Sequence, residues 1–415
     1  MLGRDVVAAK YVGGVRHTMN DAGAEDEAVV KVDPSKLLRE GWTLQIHQPQ
    51  RFNDDLWRLC SALEGSLGCL VGCNQYVTPP SKQGLAPHYD DVEIFVVQIK
   101  GEKKWKLYEK KEYMLANAPS GDLLEASLGK PSMEVTLCPG DCLYMPRGTV
   151  HHATALSLSS HVTISTYQRW TVLDVAHQLL GTALESPETQ LKLPLPLKRS
   201  LEPRLLSTLS LDPKLKTLTS SVATALTHFA QYIENNKAVF NNLADALVED
   251  YMANRLPPHP AQLPFASSVP LSFTVDDILV ARAPSFFLVM PLITTSGSGP
   301  ICRVLSCLGN SRESHMLQES DEHSSEEEEE EDDEKNGIFV TTHFRAIEQL
   351  LIRREQVRIS DLDVSLPEPL LSPKAQVQLQ FARELLEFGA VMVHQKASKE
   401  LEMGKSQRKK SRLKL

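Results

Sequence analysis

Between Trp42 and Tyr167 the chain is written almost wholly in short strands, and no other feature restricts its fold so much. The stretches WTLQIHQ, LVGCNQYVT, EIFVVQI, KWKLY, EVTLC, CLYM, VHHAT and HVTISTY follow one another, with turns such as KGEK and CPGD between them. A single helix, DDLWRLCSALEG, breaks the series, and its Leu56, Leu59 and Leu63 are expected along one apolar face. Many short strands with so little helix predict a jelly roll or a barrel, because a sheet closed on itself hides its edges.

After Trp170 the period changes. Leu215, Leu218, Val222, Ala225 and Phe229 recur at three- and four-residue steps, and Phe240, Leu243, Leu247 and Tyr251 repeat the pattern until LPPHP stops it. This predicts a helical hairpin, whose apolar seam suits either an ordinary core pair or self-association. From about Pro264 to His394 come strands (FFLVMPL), a helix (HFRAIEQLLIRR), a short VRIS stretch and a second helix (KAQVQLQFARELLEFGAVMV). Helix, strand and helix in that order resemble a winged-helix domain. The second helix sets Lys374 and Arg383, with His394 just beyond, against Glu384 and Glu387. That is no basic stripe, which argues for protein contact or packing and against direct nucleic-acid binding. The expected division is therefore 1–170 for the strand-rich domain, 171–262 for the helical module, 263–398 for the winged-helix-like domain and 399–415 for a tail.

At 415 residues the chain is long enough for two or three domains with cores of their own. Its net charge of −9 is local: residues 319–335 hold twelve acids and one lysine, and the remainder is slightly basic. The tail KSQRKKSRLKL carries six basic residues, which reads as a solvated end or a nuclear or nucleolar address. An odd count of seven cysteines, with no leader pattern and no run long enough to span a membrane, predicts a reducing intracellular location. Cys69 with Cys73 and Cys138 with Cys142 have zinc-like spacing, but their apolar surroundings read as buried thiols.

The chemistry gathers in GLAPHYDDVEIFVVQIKGEKKW, residues 84–105. His88 and Asp90 stand two apart, so on a strand they face the same side. The frame Pro146-x-Gly148-x-x-His151 then closes a tight turn and delivers a third donor, 61 positions after Asp90. Two imidazoles and one carboxylate form the facial triad of non-haem Fe(II) oxygenases, with positions left open for a cosubstrate and O₂. The plain alternative is a set of satisfied polar residues at a strand mouth. His152 competes for the third place, since alternation points it away from His151, and the frame favours His151.

Lys103 shares its strand face with Trp105 and Leu107, so it should point inward. A lysine inside a barrel needs an anionic partner, and a dicarboxylate chelating the metal at one end would offer its other carboxylate there. Tyr76, in NQYVT, can give a hydroxyl to the same group.

With these residues in hand, the chain resembles the JmjC-type Fe(II)/2-oxoglutarate oxygenases and, more narrowly, the MINA type of ribosomal oxygenase. The match is carried by IHQPQRF, APHYDDVE, GEKKWKLY, PRGTVHHA, HVTISTYQ and NSRESHM. The resemblance implies a double-stranded β-helix of cupin-like kind, followed by a helical dimerisation module and a winged-helix domain. It implies iron at His88, Asp90 and His151, 2-oxoglutarate at Lys103 and Tyr76 with Thr163 beside them, and target-peptide contacts at Gln45, Gln48, Asn74 and Ser165. It further implies hydroxylation of a histidine on a large-subunit ribosomal protein, homodimers, and residence in the nucleus and nucleolus. Some members are also described as histone lysine demethylases, which would use the same iron. A non-enzymatic scaffold on chromatin or the ribosome is the contrasting class, but a scaffold has no need to keep the triad and Lys103 together. Family members carry a further N-terminal segment before the point matched by Gly3 to Val6, so a shortened N-terminus is expected.

Overall fold

Ten strands lie among the described residues from Val6 to Thr166. They are β1 (Val6–Val12), β2 (Val15–Thr18), β3 (Thr43–His47), β4 (Val71–Thr78), β5 (Glu93–Lys100), β6 (Lys103–Tyr108), β7 (Met133–Leu137), β8 (Cys142–Met145), β9 (Val150–Ala155) and β10 (Ser159–Thr166). In this computed structural model the described residues are 5–19, 33–167, 172–185, 214–235, 238–263, 272–292, 301–317, 337–366 and 372–394. They fall into two units, one of Met1–His47 with Gly72–Tyr251 and one of Gln48–Val71 with Met252–Leu415. The acidic stretch 319–335 and the tail 399–415 lie outside the described residues.

In the first unit the strands form a seven-stranded sheet, β2-β1-β3-β4-β10-β5-β8, and a three-stranded sheet, β7-β6-β9. Alternation decides what lies between them. Val92, Ile94, Val96 and Met145 from one sheet pack with Trp105, Leu107 and Leu137 from the other. The result is a double-stranded β-helix of the jelly-roll type. The strands β1 and β2 and the short helix α1 (Pro34–Arg39) precede the stretch in which sequence alternation was plain. Ala8, Leu37 and Leu44 bind them into a small core of their own.

Three helices complete this unit: α4 (Val172–Glu185), α5 (Lys214–Asn235) and α6 (Ala238–Asn254), after α2 (Asp54–Leu67) and α3 (Glu125–Leu128) in chain order. Leu179 of α4, Phe229 of α5 and Leu243 of α6 make the buried cluster, with Val175, Tyr232 and Leu247 against it. The predicted hairpin is thus joined by a third helix. Part of its apolar seam is already covered, and Val222 and Leu226 remain exposed.

The second unit corrects the reading of α2. Leu59 is exposed, and the buried face of α2 is Cys60, Ser61 and Glu64. A charged residue took the core position because its partners come from far along the chain. His315 Nε2 donates to Glu64 Oε1 at 2.9 Å, Leu256 N donates to Oε2 at 2.8 Å, and Gln50 Nε2 donates to His315 Nδ1 at 3.0 Å. No local period could signal that. Further on, β11 (Ile278–Ala281), β15 (Val357–Arg358) and β16 (Val391–Val393) form one small sheet, and β12 (Phe287–Leu292), β13 (Ile301–Ser306) and β14 (Ile338–Thr341) another. Helices α7 (Phe344–Ile347) and α8 (Lys374–Glu387) pack Ile347, Phe381 and Leu385 into their common core. No helix among the described residues is long and apolar enough to cross a membrane.

Candidate active site

His88 and His151 are joined by the backbone before they are joined by any side chain. His151 N donates to His88 O at 2.8 Å and His88 N donates to His151 O at 3.2 Å, an isolated antiparallel bridge that sets the two residues side by side. Gly148 N donates to Asp90 O at 2.8 Å and ties the third member to the same turn. That turn needs glycine: Gly148 has a φ of +83°, and a Cβ there would collide with the Tyr113 carbonyl. The Pro-x-Gly-x-x-His frame is therefore a positioning device for two of the three donors.

The side chains are aimed by their own backbone. His88 Nδ1 lies 2.8 Å from Ala86 O and His151 Nδ1 3.0 Å from Thr149 O, so each ring donates from Nδ1 and leaves Nε2 as the free electron pair. Asp90 Oδ2 stands 3.9 Å from His88 Nε2 and 3.7 Å from His151 Nε2. Ligand atoms of all three residues lie within 4.8 Å of one another, the one such grouping of His, Cys, Asp or Glu among the described residues. Burial, and then the neighbouring His88, push His151 down to about 4, which keeps its imidazole neutral and able to ligate. Two imidazoles and one carboxyl group on one side of a point fit a divalent transition metal with open positions.

His152 is engaged elsewhere. Its Nε2 lies 3.2 Å from Tyr108 Oη and 3.4 Å from Glu125 Oε1, and Glu125 also accepts from Lys106 Nζ at 2.8 Å. In β9 the register pairs His151 with Leu107 and His152 with Lys106, so the two histidines leave the strand on opposite faces.

The triad opens into a cavity of about 650 Å³, its mouth included, walled by residues of both sheets. Lys103 and Tyr76 line it, as do Thr163, Asn74 and Ser165. Gln45 sits opposite Tyr76 in the β3–β4 pairing, while Gln48 belongs to the second unit, where its Oε1 accepts from Gln50 Nε2 at 2.7 Å. Lys103 is 5% exposed, and its Nζ reaches Thr78 Oγ1 at 3.4 Å without any described carboxylate in ion-pair range. Burial pushes this lysine down to about 7. The same burial keeps the Tyr76 phenol protonated, well above its ordinary value. A buried amine without an anion is costly, and an incoming carboxylate is the group that would relieve it.

Two cavity residues are given no role by the sequence, though Trp105 is placed on the inward face. Trp105 Nε1 and His161 Nδ1 are buried and have no hydrogen-bond partner. Leaving such a donor or acceptor unpaired costs roughly 1–3 kcal/mol, so their presence in a cavity wall is informative. The signal for His161 was available: it shares the face of β10 with Thr163 and Ser165.

The JmjC domain family matches residues 45–175. Ribosomal oxygenase 2 of Bos taurus is 35% identical over 337 residues, which are 77% of this chain and 68% of that protein. The bifunctional lysine-specific demethylase and histidyl-hydroxylase NO66 of Dictyostelium discoideum is 39% identical over 185 residues, 44% of this chain and 35% of its own length. The solved structure of YcfD, a ribosomal oxygenase from Escherichia coli in complex with cobalt and 2-oxoglutarate, covers 95% of this chain and 88% of its own at 13% identity and a TM-score of 0.42.

Proposed function

This chain belongs to the JmjC-domain ribosomal oxygenases, and from that premise we propose that it hydroxylates a histidine side chain of a large-subunit ribosomal protein, with Fe(II), 2-oxoglutarate and O₂. The observation that carries the reading is one cavity lined both by His88, Asp90 and His151, whose ligand atoms are close enough to hold a metal, and by a buried lysine with no described carboxylate in ion-pair range. His88, Asp90 and His151 would hold the iron, and Lys103, Tyr76 and Thr163 the distal carboxylate of the cosubstrate. When bound, the metal supplies the O₂ chemistry that couples decarboxylation of 2-oxoglutarate to oxygenation of the target.

The protein's own contribution is placement. Backbone carbonyls fix both imidazoles through Nδ1, which leaves each Nε2 turned to Asp90, where the three residues would hold the metal. Lys103 neutralises a carboxylate in a low-dielectric pocket, and Tyr76, protonated, donates to it. Gln45, Gln48, Asn74 and Ser165 are assigned to the target peptide. Their neutral hydrogen-bonding groups suit an amide backbone and an uncharged imidazole, whereas a trimethyl-lysine pocket would offer aromatic faces.

The remaining parts follow the division 1–170, 171–262, 263–398 and 399–415: catalytic domain, dimerisation module, winged-helix-like domain for protein contact, and basic tail. The acidic stretch 319–335 complements a basic ribosomal protein, and the tail favours nucleus and nucleolus. A second reading, histone lysine demethylation at the same centre, is favoured by the likeness to a relative named for both activities. Side-by-side incubation with a histidine-containing ribosomal peptide and a trimethylated histone peptide separates them. Oxygenated ribosomal peptide without formaldehyde supports the hydroxylase; formaldehyde from the histone peptide alone overturns it.

A further inference from the structure

The cavity has a direction, and strand register reveals it. Across the β6–β9 pair, Leu107 faces His151, Trp105 faces Ala153 and Lys103 faces Ala155. Across β10–β5, Ser165 faces Ile94, Thr163 faces Val96 and His161 faces Gln98. Asp90 lies just ahead of β5, so Ser165 marks the metal end, and His161 lies four residues further along the same face, toward the turn that carries Lys103. His161 is 2% exposed. Its ring stacks on Tyr76 at 4.9 Å and 5°, and Trp105 meets it edge-on at 5.4 Å and 86°.

A histidine in such a place has three possible uses. It can pack, but a phenylalanine would pack as well without stranding a nitrogen. It can bind metal, but the triad lies at the other end of the register. It can bind the anion that Lys103 awaits, and this use accounts for the unpaired Nδ1, the aromatic clamp that fixes the ring plane, and the shared wall with Lys103 and Tyr76. Burial, and then the nearby lysine, hold the imidazole well below its ordinary value. It therefore brings a neutral N–H to a subsite where Lys103 supplies the charge.

We propose that His161 is a further binding residue of the cosubstrate, its ring N–H donating to the distal carboxylate held by Lys103 and Tyr76. The assignment rests on the oxygenase reading above. It is tested on the full chain loaded with Mn(II), by calorimetry and by intrinsic tryptophan fluorescence, using 2-oxoglutarate and 2-oxopentanoate, which has the same chain length but no distal carboxylate. His161→Phe keeps the stack on Tyr76 and removes both nitrogens; His161→Gln restores an N–H. The phenylalanine variant is expected to bind 2-oxoglutarate about tenfold more weakly or worse, with affinity for Mn(II) and for 2-oxopentanoate changed less than about twofold. The glutamine variant should recover to within about threefold of wild type. Wild-type affinity for 2-oxoglutarate in His161→Phe, or equal loss of both ligands, overturns the assignment. Should His161→Phe fail to give a wild-type melting transition, His161→Leu is read by the same criteria. Wild-type protein that binds Mn(II) but not 2-oxoglutarate overturns the oxygenase reading itself, and this assignment with it.

Discussion

At the scale of single residues, two groups of the site owe their protonation to burial. His151 is neutral because it is buried beside another imidazole, and Lys103 is held at about 7 because water is kept from it. Replacing His88, Asp90 or His151 by alanine removes one of three ligands, and turnover should fall at least ~100-fold with loss of metal binding in calorimetry. Full activity in purified His151→Ala would transfer the third place to His152. Lys103→Ala should abolish tight 2-oxoglutarate binding while metal affinity stays. The lysine also predicts a pH dependence, with a definite sign. Its value in the free protein, about 7, lies below that of an exposed lysine, and a bound carboxylate raises it again. Binding above that pH must therefore take up a proton. Cosubstrate affinity should be greatest below about pH 7 and weaken by up to ~10-fold per unit as pH rises. Affinity that stays flat across that range, with no buffer-dependent heat, would contradict it.

Elements carry the geometry that residues alone cannot. The bridge between His88 and His151 and the bond from Gly148 to Asp90 make the turn before β9 part of the metal site. Gly148→Ala has no room for its methyl group against Tyr113, so the turn must move. The expected result is a folded protein, by circular dichroism, with metal affinity reduced ~10-fold or more. Unaltered metal binding would show that the turn tolerates the shift. In the second unit, α2 is held by the buried contact of Glu64 with His315. His315→Ala leaves that carboxylate buried without its principal donor and should cost about 3 kcal/mol in denaturant unfolding. A loss under about 1 kcal/mol would mean that Leu256 and Val71 satisfy the carboxylate on their own.

For the whole molecule, the proposed dimer depends on which apolar side chains the three-helix cluster leaves uncovered. Phe229 and Leu243 are buried within the chain, Leu247 is half-buried against them, and the side chain of Leu218 lies outside those described. Among the described side chains of α5, Val222 and Leu226, 43% and 52% exposed, are the large apolar residues open to a second copy. Val222→Glu combined with Leu226→Glu should turn a dimer into a monomer in light scattering while the helical signal persists. A wild-type monomer at micromolar concentration would remove the dimer from the reading.

Much of this was legible in the order of residues, because strand and turn signals are local. Alternation drew β3 to β10, and the shared face of Lys103 with Trp105 pointed the lysine inward; His88 and Asp90 precede β5, so the bridge to His151 and the bond from Gly148, not strand alternation, bring them together. Other features were decided only by tertiary structure. Period-two alternation sends His151 and His152 to opposite faces but does not say which face is interior; the pairing of β9 with β6 does. The apolar pattern of α2 favoured Leu59, yet Glu64 is buried, because His315, 251 positions away, supplies what a leucine would not need. His161 was visible as a letter on the right face of β10, but its unpaired nitrogen exists only once β4 and β6 have brought Tyr76 and Trp105 around it. A sequence pattern specifies which way a side chain leaves its own strand or helix; what it meets there depends on chain that is distant until the fold closes.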